Sequence, residues 1–104
     1  MVVYNKLVRD QIPDMIRAQG ETPVIRILDT EEYLQHLETK LDEEVEEYHR
    51  DKNVEELADI LEVVYALAEA MGCTKEELLQ VYQKKHDARG GFEKRIFLIS
   101  KEEA

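Results

Sequence analysis

The chain carries the same helix-start pattern three times. In each case a capping residue is followed three positions later by a glutamate, at the head of a stretch with apolar residues at helical spacing. The three pairs are Asp29 with Glu32, Asn53 with Glu56, and Thr74 with Glu77. Such a pair predicts a helix start, because the first side chain can accept a hydrogen bond from a backbone N–H that lacks a partner within the helix. We therefore predict three successive helices.

Apolar residues at steps of three or four give each of these helices a packing face. The helix opened by Asp29 carries a stripe of Leu34, Leu37, Leu41, Val45 and Tyr48. The next helix, ended by Gly72, is predicted to bury Leu57, Ile60, Leu61, Val64, Leu67 and Met71. The third stops before Gly90-Gly91 and carries Leu78, Leu79, Val81 and Tyr82. The short interval at 51–53 makes the first two helices antiparallel neighbours.

Two further kinds of segment complete the predicted fold. A short helix is expected from near Ile12 to Gly20, with Pro13 tolerated in its first turn and glycine suited to its end. The segments TPVIRIL (22–28) and RIFLIS (95–100) have strand composition and are predicted to pair as a two-stranded ribbon. The expected fold class is thus mainly all-α: an antiparallel helical bundle with a small β ribbon, in a single domain over residues 1–104.

The net charge and the cysteine content indicate which partners and which cellular compartment to expect. The chain has 24 acidic against 14 basic residues and a formal net charge of −10. This charge repels nucleic acid polymers and anionic membranes, so neither is an expected partner. The single cysteine, Cys73, cannot form an intrachain disulfide, and the segment MVVYNKLVRD lacks an apolar signal region. We expect a cytoplasmic protein.

Acidic residues crowd the stretch LDEEVEEY, residues 41–48. At about 100° per residue, Glu43, Glu44 and Glu47 fall within one arc beside the apolar stripe of their helix. On the next helix Glu56 and Asp59 are three positions apart and share a face. Because the two helices are antiparallel neighbours, the two acidic sets can face each other across the groove between them.

Such crowding of like charges destabilises a helix unless something offsets it. Carboxylate oxygens suit hard divalent cations such as Mg²⁺ or Mn²⁺, whereas zinc favours histidine and cysteine. His36, His49 and His86 have no zinc-ligand spacing. A solvated acidic face is the alternative interpretation, and spacing alone leaves it and a metal site both open.

Two half-motifs resemble a known family. EEVEE contains E-E-x-x-E as Glu43, Glu44 and Glu47, and EELAD contains E-x-x-D as Glu56 and Asp59. This pair is similar to the signature of the MazG-like all-α nucleoside triphosphate pyrophosphohydrolases. The segments YNKLVRDQIPDMI and RGGFEKRIFL also resemble the ends of a branch labelled phosphoribosyl-ATP pyrophosphohydrolase-like, so the resemblance covers nearly the whole chain. One departure is the short separation of the half-motifs, residues 48–55, which affects the expected shape of the substrate pocket.

The resemblance implies divalent-metal-dependent hydrolysis of a nucleoside triphosphate between the α- and β-phosphates, giving a monophosphate and pyrophosphate. By match to the motif, the metal ligands are Glu44, Glu47, Glu56 and Asp59, and Glu43 is the catalytic general base or a further ligand. The cofactor implied is Mg²⁺, with Mn²⁺ possible. A house-cleaning role against non-standard or excess nucleotides ranks above a step in histidine biosynthesis.

Basic residues are needed for phosphate oxygens that no metal covers. The candidates for substrate binding are Lys6, Arg9, Lys84, Lys85, Arg89, Lys94 and Arg95. The helix predicted after Asn53 also has apolar residues off its main stripe, Val63, Tyr65 and Ala66, which favours self-association. The resemblance implies homodimers or dimers of dimers. The alternative function is a non-catalytic helical module whose acidic face docks a basic partner.

Overall fold

The computed structural model describes residues 1–103 and contains four helices. They are α1 (Ile12–Ala18), α2 (Thr30–Asp51), α3 (Val54–Ala70) and α4 (Lys75–Arg89). The all-α class is therefore confirmed for the described residues. None of these helices is both long and apolar enough to cross a membrane.

All three predicted helix starts are present. The side chains of Asp29, Asn53 and Thr74 accept hydrogen bonds from the backbone N–H groups three positions later, at 2.9, 3.0 and 3.1 Å. The Thr74 hydroxyl also donates to the side chain of Glu77 at 3.2 Å. Because each cap satisfies a backbone donor at the helix entrance, the starts of α2, α3 and α4 follow directly from local sequence.

A two-residue turn joins α2 to α3. Lys52 ends α2 in the left-handed conformation, at φ 53° and ψ 40°, and its N–H donates to the carbonyl of Tyr48 at 2.8 Å. Asn53 follows at once as the cap of α3. The chain therefore reverses sharply and α3 packs along α2, which is the most extensive helix pair; α4 packs more lightly on α3.

The predicted β ribbon is wrong. No strand occurs among residues 1–103, and the segments 22–28 and 95–100 are both irregular. Their apolar side chains are exposed, with Val24 at 95% and Ile99 at 88%. A two-stranded ribbon is marginal without a further layer to cover one face, and no helix supplies that layer here. Instead, Arg26 binds Glu32 at 2.8 Å and ties the first of these segments to the start of α2.

The buried core is small and partly differs from the predicted one. Leu37 of α2 is buried as expected, at 3% exposure, but Leu57 and Leu61 of α3 are each 47% exposed. Val63, which the pattern placed off the main stripe, is buried at 7% together with Ala68 at 8%. The reason is that α2 covers one side of α3 and α4 covers little of the rest. Predicted core residue Met71 is likewise exposed, at 78%.

The chain is extended for its size. Its radius of gyration is 18.7 Å and its principal extents are 66 × 32 × 22 Å. A compact chain of this length has a radius of gyration of about 13 Å. Segments 1–11 and 90–103 contain no helix, and α1 packs against none of the other helices. The α2–α3 hairpin is therefore the structural centre of the molecule.

Candidate metal centre

Four carboxylates converge between α2 and α3. One oxygen from each of Glu44, Glu47, Glu56 and Asp59 can be chosen so that all lie within 4.8 Å of one another. Two of these residues are three positions apart on α2 and the other two are three positions apart on α3. The sharp turn between the helices brings the two pairs to the same height. The structure thus brings together the four residues that were predicted to be metal ligands.

Glu44 is the most buried member of this four-carboxylate cluster. The residue is 7% exposed, and its Oε2 atom has no hydrogen-bond partner among the described residues. The Oε2 atom of Glu56 is also buried without a partner. A buried carboxylate oxygen without a donor is costly, because it has lost water and gained nothing in return. The donor set is all oxygen, so the residues present fit a hard divalent cation.

The pKa values of two carboxyl groups in the cluster are raised, because these groups are at least partly buried near other acids and have few hydrogen-bond donors. The pKa of Glu44 is raised above its usual 4.5, first by burial, then by a hydrogen bond with the Glu47 carboxyl group and by that group's charge. Lys40 opposes this shift without cancelling it. The pKa of Glu56 is raised as well, first by desolvation and then by the charge of Glu47. Without a cation, the cluster therefore favours holding protons.

Stability of the metal-free protein should consequently fall as pH rises above the ordinary carboxyl pKa of 4.5 and through the raised pKa values of Glu44 and Glu56. Glu44 and Glu56 have folded-state pKa values above the 4.5 of the unfolded chain, so the folded state binds more protons in that range and loses this advantage on deprotonation. Glu32, whose pKa is lowered to about 2 by Arg26, acts in the opposite sense only at lower pH. Urea unfolding in EDTA at pH 5.5 and 7.5 measures the effect.

The control for that measurement is the double variant E44Q/E56Q, which keeps every other titratable group. Its stability should change less between the two pH values than that of the wild type. An equal change in both proteins would show that the cluster does not cause the pH dependence. Saturating Mn²⁺ should reverse the wild-type trend, because cation binding requires deprotonated carboxylates.

Arg9 is the predicted phosphate-binding residue that reaches the cluster. It lies in the irregular segment before α1, and its Nη2 atom is 2.7 Å from Oδ1 of Asp59. Both side chains are partly solvent-exposed, at 55% for Arg9 and 40% for Asp59. The ion pair joins positions fifty residues apart in sequence. A cation of the chain itself thus contacts one of the four carboxylates.

Lys40 is a contact residue that sequence reasoning missed. Its Nζ atom lies 3.5 Å from Oε1 of Glu44 and 4.0 Å from Oε2 of Glu43. The spacing of three and four positions on one helix could have identified it, since such Lys–Glu pairs face each other. Lys40 partly neutralises the buried end of the cluster.

Glu43, the predicted catalytic residue, lies outside the four-carboxylate cluster. It borders a separate small cavity of about 130 Å³ formed by segment 1–11 and α2. The lining residues are Asn5, Lys6, Leu7, His36, Thr39, Lys40 and Glu43. Lys6, a predicted substrate-binding residue, is therefore close to α2, and the cavity adjoins the cluster through Lys40.

The remaining predicted basic residues are elsewhere on the surface. Lys84, Lys85 and Arg89 lie on α4 and are exposed, as are Lys94 and Arg95 in the C-terminal segment. Within residues 1–103, no ion pair joins any of them to the cluster. The structure does not bring these five residues to the candidate site.

Comparison with known proteins identifies a partial relative. No protein-family model and no solved structure matches the chain. A protein of Mycolicibacterium smegmatis (strain ATCC 700084 / mc(2)155), described as an uncharacterized protein, is 62% identical over 42 residues. The aligned region is 40% of this chain and 43% of that protein, so the alignment covers less than half of either chain. The relative's description names no activity.

Proposed function

We propose that the protein is a divalent-metal-dependent nucleotide pyrophosphohydrolase of the MazG type. It would cleave a nucleoside triphosphate between the α- and β-phosphates, giving a monophosphate and pyrophosphate. The observation that carries the proposal is the convergence of Glu44, Glu47, Glu56 and Asp59 within 4.8 Å, two of them with buried, unpartnered oxygens. An acidic docking face would instead spread its carboxylates outward to solvent.

The four carboxylates would hold Mg²⁺, or Mn²⁺ in its place. A bound cation supplies positive charge for phosphate oxygens and lowers the pKa of a water molecule that can attack phosphorus. The acidic residues would otherwise repel a triphosphate, so their role is to hold that positive charge between the helices. Glu44 is suited to the innermost ligand position because it is the most buried of the four.

Other residues would bind and orient the substrate. Arg9 and Lys6 both belong to the segment before α1 and both lie near the hairpin, so they are the favoured ligands for the distal phosphates. Glu43 remains the proposed general base or a further ligand. It precedes Glu44 on α2, and Lys40 contacts the carboxylates of both residues.

The proposed biological role is house-cleaning, that is, removal of non-standard or excess nucleotides. A phosphoribosyl-ATP pyrophosphohydrolase of histidine biosynthesis is the alternative within the same reaction class. Both reactions would use the same cleavage chemistry at the same four carboxylates, so only the identity of the substrate distinguishes them.

The direct test is a panel of nucleoside triphosphates and phosphoribosyl-ATP, each with Mg²⁺ or Mn²⁺. We expect at least one substrate to yield monophosphate and pyrophosphate in equal amounts, read by phosphorus NMR, and no reaction in EDTA. Release of orthophosphate would contradict cleavage between the α- and β-phosphates. Absence of turnover on every substrate, with a folded protein, would favour the docking module instead.

A further inference from the structure

We infer that Arg9 is exchanged between two partners during binding: it pairs with Asp59 while the carboxylates hold no cation, and with substrate phosphate once they do. This inference rests on the proposed function and assigns a specific substrate-binding role to one residue of the segment before α1. Its starting observation is the 2.7 Å contact between Arg9 Nη2 and Asp59 Oδ1.

The position of Arg9 is suited to such an exchange. Asn5, Lys6 and Leu7 line a cavity with residues of α2, and Arg9 reaches Asp59 on α3. The segment before α1 therefore crosses the open side of the hairpin beside the cluster. A phosphate group bound at the four carboxylates would lie within reach of the same guanidinium.

The ion pair between Arg9 and Asp59 should also break at little cost in free energy. Arg9 and Asp59 are 55% and 40% exposed, and solvent-exposed ion pairs contribute little to stability. When Asp59 shares its charge with a divalent cation, it attracts the guanidinium less, and the two positive charges repel each other. Arginine offers a planar fork of N–H donors that matches phosphate oxygens, so the released side chain has a better partner in the substrate.

The alternative is that Arg9 remains bound and holds Asp59 in the orientation needed for a cation. The two cases predict opposite effects of removing Arg9. If Arg9 competes with the cation, its removal tightens cation binding. If Arg9 orients Asp59, its removal weakens cation binding.

The first measurement is the Mn²⁺ affinity of the nucleotide-free protein, by isothermal titration calorimetry. We expect R9Q to bind Mn²⁺ about threefold to tenfold more tightly than the wild type, because one competing positive charge is removed. R9K should lie between the two. R26Q is the matched control: it removes the same charge from the exposed Arg26–Glu32 pair, and Glu32 lies about 18 Å along α2 from Glu44.

The second measurement uses tripolyphosphate with Mn²⁺, a probe that has phosphates but no base. Here R9Q should bind about tenfold more weakly than the wild type, while R26Q is unchanged. Equal or weaker Mn²⁺ binding by R9Q in the first measurement would overturn the exchange and leave the proposed reaction standing. Failure of the wild type to bind Mn²⁺ at all would overturn both.

Discussion

If the protein is the proposed pyrophosphohydrolase, we expect replacing Glu47 by Gln, or Asp59 by Asn, to lower kcat/KM for the best substrate by at least about 100-fold. Loss of a group that only supports a metal ligand typically costs 10- to 100-fold in metal affinity or activity, so loss of a ligand's charge should reach or exceed the upper end. Both substitutions keep the size and shape of the side chain and replace one acceptor oxygen with an NH2 donor. The fold should therefore persist, as circular dichroism would verify.

The same E47Q variant should be more stable than the wild type in metal-free buffer. Glu47 adds negative charge beside Glu44, three positions away on α2, and beside Glu56 on the neighbouring helix α3. A like-charge pair on one helix destabilises it by about 0.2–0.5 kcal/mol, and the repulsion across the two helices adds to this. We expect a gain of about 0.5–1 kcal/mol in the free energy of unfolding, measured in EDTA. Saturating Mg²⁺ should stabilise the wild type and have little effect on the variant.

The matched control for both measurements is E46Q, the same chemical change on the neighbouring residue of α2, which is exposed. It should retain wild-type turnover and Mg²⁺-dependent stabilisation. Wild-type turnover in E47Q and D59N would exclude these carboxylates from the reaction. An equal loss in E46Q would attribute the effect to general charge rather than to the cluster.

Self-association is the second large expected effect. The chain exposes 9680 Å² of surface, against about 6,100 Å² for a compact monomer of this mass. The excess of exposed surface over that of a compact monomer is larger than the roughly 800 Å² that each partner buries in a typical stable interface. On α3, Val54, Leu57 and Leu61 lie at steps of three and four and form an exposed apolar stripe. We expect a second copy of the chain to cover this stripe.

Sedimentation equilibrium should therefore give a dimer or a larger even-numbered assembly for the wild type. The double variant L57E/L61E should weaken association by more than about 1,000-fold. The interface of a symmetric dimer contains the same patch from both copies, so it would bury both introduced carboxylates of each copy without partners. Adding two negative charges at exposed polar positions, in Q35E/Q80E, is the control and should leave association unchanged. A monomeric wild type would show that α3 is not an interface.

Local sequence determined where the helices start, and this is why those starts could be predicted. Asp29, Asn53 and Thr74 each act on a backbone group only three residues away, so no tertiary information is needed. The same locality explains why the four carboxylates could be placed on facing sides of two neighbouring helices. Their spacing within each helix and the short turn between the helices are both visible in the sequence.

Features that depend on distant partners were not predictable in the same way. Strand composition at 95–100 could not show that no partner strand forms, and the periodicity of α3 could not show that Val63 would be buried rather than Leu57. The pairing of Arg9 with Asp59 spans fifty positions and has no local signal. Lys40 differs, because its contact with Glu44 follows from helical spacing and was available from the sequence.

The turn at Lys52 and Asn53 makes the candidate site a property of one continuous stretch, positions 44 to 59. Such a site can form as soon as a single helical hairpin closes, without waiting for the rest of the chain. Its register is correspondingly strict. One residue added to α3 between Glu56 and Asp59 would rotate these two carboxylates by about 100° relative to each other around the helix axis, so that together they would lose their present alignment with the carboxylates of α2. An insertion between Gly20 and Asp29 would leave that alignment intact, so tolerance to length changes should differ sharply between these two regions.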